Sequence, residues 1–471
     1  MRYSIIALLV LTTGLLGGCK KFLDVKPKVE VGQELLFENE QGFMDALTGV
    51  YLKMNSDTLY GRELSFGLVD VLAKQHTRIT SIYHEYYDLS TYNYMTAAAR
   101  TKIDNLWIEG YGCIANLNNL LTNLETRDPK TFSGANYAVI SGEAHALRAF
   151  LHFDLLRLFA PAPAAAGGNA AAAIPYMDRL TAEVFPQLKV EEVLQRVLAD
   201  CEVAANALKA VDPVIPANAA NATTSGYLRE RPLKFNYYAV KALQARAYLY
   251  AGDKAKALAC AEEVIQSNVF TWTPSWQISS GNRVLVSELI FALYKSNMNR
   301  WETSYFSTAG SSVLTRTNEA EFKTVYENIS GDMRYSLLLT ITNGTGLSNK
   351  YVQATSASTN YLKRMPVMRL SEMYYIAAEC LAEADMTRAV GYLNTVRRNR
   401  NVLTDLNSSI STVQLQDELL KEYMKEFYCE GQLFFYYKRK NASSIWFSTV
   451  TPTNAIYVLP LPDNELEYGG R

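Results

Sequence analysis

Residues 235–267 read FNYYAVKALQARAYLYAGDKAKALACAEEVIQS, and residues 368–400 read MRLSEMYYIAAECLAEADMTRAVGYLNTVRRNR. In each stretch apolar residues recur at three- and four-residue spacing on both sides of a break, which predicts a helix, a tight turn and a second helix. The first break is Gly252-Asp253 and the second lies near Asp385. Across each break two alanines stand twelve residues apart, Ala245 with Ala257 and Ala377 with Ala389. Small side chains there let paired helices approach closely. Their recurrence marks a helical repeat, the architectural clue that decides the fold.

Working outward, the same periodicity predicts helices over 39–54, 101–125, 135–159, 189–209 and 414–440, besides 235–251, 254–267, 368–384 and 386–400. In the helix over 135–159, Leu147, Phe150, Leu151, Leu155 and Leu158 form one stripe, and Arg148 and Arg157 fall on the opposite side. The small-residue spacing is similar to that of tetratricopeptide (TPR) repeats, without their usual early Trp and late Pro. Pro161 to Ala173 and Asp212 to Gly226 read as surface loops. The interval 268–365 breaks the helical pattern with Ser, Thr, Asn, Gly and short β-like runs such as Leu289 to Leu293. The fold class expected is therefore mostly all-α: a TPR-like helical scaffold over about 39–267 and 366–440, under an irregular, loop-rich ligand-binding cap over about 268–365 plus 60–100.

The N-terminus reads as an export signal. Arg2 precedes the uncharged apolar run Ile5 to Leu16, which falls short of the roughly 20 apolar residues of a membrane span. Leu16-Gly17-Gly18-Cys19 resembles the lipobox of bacterial lipoproteins, in which small residues admit the peptidase and the thiol accepts a diacylglyceryl group. The expected organisation is a signal peptide over 1–18, a lipidated tether over 19–38 starting at Cys19, and one body over 39–471. Lys plus Arg against Asp plus Glu stand at 46 to 47, so no charge field draws the chain to nucleic acid. Cys113, Cys201, Cys260, Cys380 and Cys429 are scattered through helical patterns and read as buried core thiols.

The 31 Tyr exceed the 18 Phe and 5 Trp together, and a tyrosine offers an apolar face with a polar edge. Sugars pack their flat CH faces on such rings while Asn, Asp and Arg grip the hydroxyls. Two clusters fit. Tyr83, His84, Tyr86, Tyr87, Tyr92 and Tyr94 crowd together with Asp88 and Asn93. Trp272 and Trp276, then Asn297, Asn299, Arg300, Trp301 and Tyr305, lie in the irregular interval, with Trp301 the ring most expected to meet ligand. A glycosidase needs two carboxylates about 5 to 10 Å apart, and Glu422, Glu426 and Glu430 share one helical face. With Lys421, Lys425 and Arg439 nearby, ion pairing explains them better. No metal-ligand spacing, phosphate loop or nucleophile elbow appears, so no catalytic residue, metal or cofactor is expected.

Several segments, in order, resemble the SusD/RagB family of surface lipoproteins. They are Cys19-Lys20-Lys21-Phe22-Leu23-Asp24 with Pro27; Trp107, Tyr111, Ile114 and Asn116 to Asn119; and Glu143-Ala144 with Leu147-Arg148-Ala149 and Phe153. Next come Arg369 to Tyr375 with Ala378-Glu379, then Leu393-Asn394 with Val396-Arg397 and Arg400. Glu422, Glu426-Phe427, Glu430-Gly431, Lys438-Arg439 and Leu459-Pro460-Leu461-Pro462 with Glu465 complete the series. The Ala-rich loop after Phe159-Ala160-Pro161 and Cys429 depart from the family's pattern. The resemblance implies a TPR-like core, a cap carrying the ligand site, and a partner SusC-like TonB-dependent outer-membrane transporter to which an oligosaccharide is delivered. It also implies a lipid-anchored protein of the outer membrane facing the cell exterior. Peptide capture and glycoside hydrolysis are the alternatives.

Overall fold

The computed structural model describes residues 33–470, so Cys19, the signal and most of the expected tether lie outside the described residues. Helices α1 (Glu40–Met54), α2 (Ala97–Glu125), α3 (Asn136–Phe159) and α4 (Val190–Lys209) build the first half of the scaffold. Polar side chains stop their open N-termini: Asn39 accepts from the Gly42 N–H of α1, and Thr96 from the Ala99 N–H of α2. α3 is buried on both the apolar stripe and the side that carries Arg148 and Arg157. Arg148 donates from Nε and Nη2 to Asp200 of α4 at 2.8 and 2.7 Å, and Arg157 pairs with Asp154 one turn away.

The two quoted stretches form the expected helix pairs, α5 (Tyr237–Ala251) with α6 (Lys254–Gln266), and α8 (Leu370–Leu381) with α9 (Met386–Arg398). Ala245, Ala257, Ala377 and Ala389 are fully buried where the paired helices meet. Gly252 turns the first pair with φ +86°, a left-handed conformation that suits glycine. Asp253 and Asp385 then cap the second helix of each pair through the N–H groups of Lys256 and Arg388. α6 also packs on α8, so the pairs stack as one solenoid although about a hundred residues separate them.

Those intervening residues form the cap. It holds β1 (Leu289–Tyr294), α7 (Asn299–Tyr305), the hairpin β2 (Leu339–Thr342) with β3 (Thr345–Ser348), and β4 (Arg364–Arg369). β1 pairs antiparallel with β4, so the cap is closed at its base where it leaves and rejoins the helices. One large hydrophobic cluster runs from Phe37 to Leu459 through scaffold and cap alike, and a small separate one of Ile278, Leu285, Met333 and Leu338 lies within the cap.

The helix expected over 414–440 is two: α10 (Thr412–Glu426) and α11 (Leu433–Arg439). Cys429 and Gly431 between them have φ of +66° and +74°. A Cβ on Gly431 would meet the Leu64 carbonyl oxygen at 2.4 Å, so only glycine fits there. Glu422 and Glu426 at the end of α10 and Glu430 in the break are all buried. Glu422 pairs with Arg334 at 2.7 Å, Glu426 with Arg369 at 2.5 Å and Arg400 at 2.6 Å, and Glu430 with Lys350 at 2.5 Å. Arg334 and Lys350 belong to the cap and Arg369 to β4, so this buried network clamps cap to scaffold. Of the cations expected to neutralise the trio, Lys425 does so at 3.1 Å from Glu422, whereas Arg439 turns to Glu379. Among the described residues no helix is long and apolar enough to cross a membrane.

Candidate functional site

The cap meets the segment 57–102 along a seam of charged side chains laid over an aromatic floor. The floor forms because Phe66 packs against Trp301, Phe306 and Tyr351 with ring centroids 5.0, 5.1 and 5.6 Å away. Above it, the Tyr305 hydroxyl donates to Glu85 Oε1 at 3.0 Å and accepts from Arg62 Nη1 at 2.6 Å. Lys102 Nζ reaches Glu85 at 2.9 Å and Glu63 at 3.3 Å while standing 4.5 Å over the Tyr86 ring. At the cap's edge, Asp57 accepts from Lys295 Nζ at 2.8 Å and from Arg300 Nη2 at 2.5 Å. Burial opposes ionisation of Glu85, but the Lys102 and Arg62 cations overcome it and hold the carboxyl below its ordinary range. Burial pushes the Tyr305 phenol up, so it stays a neutral donor.

The two aromatic clusters expected from the sequence are therefore joined in part, through Glu85 and Tyr305. Tyr83 stands on the outside of this seam, 92 % exposed, and Arg300 is also exposed. Tyr87 is half-buried. Four expected contacts are corrected, because their rings have no open face. Trp301 is 1 % exposed and forms the floor, and Tyr86, Tyr94 and Tyr305 are buried as well. Tyr94 gives its hydroxyl to the Ile456 carbonyl at 2.7 Å, which ties the loop to the C-terminal segment. Tyr92 is half-buried, bonded to the Leu72 carbonyl at 3.0 Å, with Lys74 over its ring.

Trp272 and Trp276 belong to a different place. Trp272 packs on Tyr374 with centroids 5.1 Å apart, lies under the Arg400 guanidinium, and lines a polar cleft of about 340 Å³ with Arg398, Asn399 and Asn401. Trp276 is 63 % exposed nearby in sequence. A third cleft, of about 410 Å³, has Trp107, Tyr111 and Val184 among its walls and Tyr468 at its rim. The sequence reading placed Trp107 and Tyr111 only as scaffold, since the segments that enclose the cleft are far apart in the chain.

Folding also brings together Asp70, His76 and Cys429, whose ligand atoms lie within 4.8 Å of one another in the core. The spacing of these residues gave no hint of it. His76 Nε2 is held to the Phe66 carbonyl at 3.0 Å, and Asp70 Oδ1 accepts the Gly431 N–H at 3.1 Å. Burial pushes the Asp70 carboxyl and the Cys429 thiol up and His76 down to about 3. These shifts keep the Asp70 carboxyl and the Cys429 thiol protonated, whereas a cation site needs both ionised, and leave His76 neutral, the form that could serve one. The carboxylates Glu422, Glu426 and Glu430 are likewise committed inside the clamp.

Comparison with known proteins agrees with this architecture. A family model described as starch-binding and associating with the outer membrane matches residues 21–225, and the SusD family model matches residues 290–467. No curated protein matches the chain. A SusD superfamily protein from Bacteroides thetaiotaomicron superimposes with a TM-score of 0.70 at 20 % identity, covering 92 % of this chain and 98 % of its own. A putative sugar binding protein from Bacteroides vulgatus gives 0.72 at 21 %, covering 91 % and 96 %. A SusD-like carbohydrate binding protein from the same species gives 0.72 at 18 %, covering 92 % and 97 %. Those structures share the fold, the two family models together account for most of the sequence, and so this chain belongs to the SusD/RagB family.

Proposed function

We propose that this protein is a non-enzymatic, lipid-anchored component of the outer membrane. It captures an oligosaccharide on the seam between segment 57–102 and the cap, and delivers it to a SusC-like TonB-dependent transporter. The observation that carries the reading is the seam itself. Two regions more than 200 residues apart meet through the Tyr305 to Glu85 bond; two residues before Glu85 in the chain the Tyr83 ring is open, and at the cap's edge Arg300, paired with Asp57, is exposed. Tyr83 supplies an apolar face for a sugar's CH groups, while Arg300 and the Lys102, Glu85 and Arg62 group supply donors and acceptors for hydroxyls. The family's association with the outer membrane and the sugar-binding names of its structural relatives support the same reading. The Cys19 lipobox supplies the anchor, and 19–38 the leash that lets the body stay beside a transporter.

Isothermal titration with a panel of neutral oligosaccharides headed by maltoheptaose tests it. A saccharide that binds the wild type should bind Tyr83→Ala and Arg300→Ala about tenfold or more weakly, with melting temperatures unchanged because both side chains are exposed. Unaltered affinity in both variants would remove the seam as the site.

A further inference from the structure

Five scaffold helices, α3, α5, α8, α10 and α11, contribute to a cavity of about 30 Å³. Three hydrogen-bonding groups on its lining residues have no protein partner: Arg157 Nε, Arg246 Nη1 and the Tyr250 hydroxyl. Each of these residues is buried to at least nine-tenths, at 4 to 5 % exposure. The rest of each guanidinium is spoken for. Arg246 bonds Glu372 at 2.5 and 2.6 Å and the Val367 carbonyl at 2.8 Å, while Arg157 pairs with Asp154 and lies 3.8 Å over the Phe435 ring. Arg439, the third cation of the lining, is held by both oxygens of Glu379 at 2.6 and 2.7 Å.

Arg157, Arg246 and Arg439 are matched by Asp154, Glu372 and Glu379, and Lys438 beside them is buried, with the Leu158 carbonyl 3.4 Å from its Nζ. Burial and the neighbouring Arg157 depress its ammonium. Unpaired donors in a dry core cost free energy unless something accepts from them. Arginine can only donate, so Arg157 Nε and Arg246 Nη1 both need an acceptor. A halide accepts from both and from the Tyr250 O–H as well.

We propose that this niche binds one small inorganic anion of chloride size, held by Arg246 Nη1–H, Arg157 Nε–H and Tyr250 O–H. The volume suits a single such ion, being above the 10–15 Å³ or so that one water requires. A neighbouring cleft of about 330 Å³ shares Leu249, Tyr250 and Arg439 with the niche and adds Lys254 and Lys440 beside Glu379, so the approach is basic. The ion ties α5, the first helix of the first repeat pair, to α3, a structural role separate from sugar capture.

Crystals of the full protein soaked in bromide test it, together with melting curves in chloride and in gluconate at equal ionic strength. An anomalous peak within bonding distance of Arg246 Nη1 and Tyr250 Oη is expected. So is a saturable rise in Tm of about 2 °C in chloride, of which Tyr250→Phe loses most. A niche holding only water, or left empty, in bromide-soaked crystals overturns the proposal whatever the variant does. So does a chloride response identical in wild type and Tyr250→Phe.

Discussion

Trp301 and Tyr83 are both aromatic residues beside the same seam, and burial gives them opposite duties. The Trp301 indole fills the space between Phe66 and Tyr351, with Lys295 5.2 Å over its ring. Deleting it opens a cavity in a close-packed region, which costs about 3–5 kcal/mol for a large aromatic. Urea unfolding of Trp301→Ala should therefore show a clear fall in midpoint, with glycan affinity per folded molecule retained. A midpoint equal to wild type would show that the ring is not core. Local sequence could not separate these roles. Asn297 to Trp301 reads as a polar, aromatic loop, and only the approach of Phe66 from more than 200 residues away covers the indole.

At the scale of the element, helices α8 and α11 share a buried pair whose chemistry sets an acid limit on stability. Burial works against Glu379, but Arg439 and Lys440 pull its carboxyl down to about 2. Its contribution is complete above the unfolded carboxyl value near 4.5 and is lost as pH falls toward 2. His76 and His152 are held neutral, with pKa near 3, chiefly by burial. His152 donates from Nδ1 to the Arg148 carbonyl at 2.9 Å and accepts the Met177 N–H on Nε2 at 3.0 Å, an arrangement that protonation breaks. For these bases the folded value also lies below the unfolded one of 6.5, so their stabilisation is whole above pH 6.5 and declines from there toward 3. Unfolding free energy should thus fall below pH 6.5 by up to about 1.4 kcal/mol per pH unit for each histidine, and steepen below 4.5. Denaturant series at pH 7.5, 5.5 and 4 check this, and equal stability at 7.5 and 5.5 would contradict neutral histidines. Glu379→Gln should flatten the lower limb.

For the whole molecule, the question is what keeps an irregular cap from moving over a helical scaffold. The clamp around Glu426 answers it: one carboxylate receives Arg369, Arg400 and, at 3.1 Å, Arg334, and its Oε2 and Oε1 are both shared. Replacing it by glutamine leaves three buried guanidiniums short of an anion, a loss of about 3–5 kcal/mol. Glu426→Gln should lower the melting temperature and leave cap and scaffold unfolding in separable steps, as seen by differential scanning calorimetry. A single transition at the wild-type temperature would show that apolar packing alone holds the cap.

The sequence by itself determined the helical pairs. Ala245, Ala257, Ala377 and Ala389, the Gly252 turn and the aspartate caps are local signals, written at fixed spacing and needing no partner elsewhere in the chain. It also carried the family, through motifs spread from the N-terminal cysteine to Pro462. The helix expected over 414–440 failed at Cys429 and Gly431, whose positive φ ends it, although the apolar spacing resumes at Leu433. The close approach of the Leu64 carbonyl, which excludes any side chain at Gly431, comes from a segment far away in the chain. What tertiary structure alone decided is which aromatic rings remain open, which carboxylates lie inside, and where donors are left without acceptors. Burial depends on segments hundreds of residues apart meeting in space, and side-chain chemistry read along the chain carries no record of that meeting.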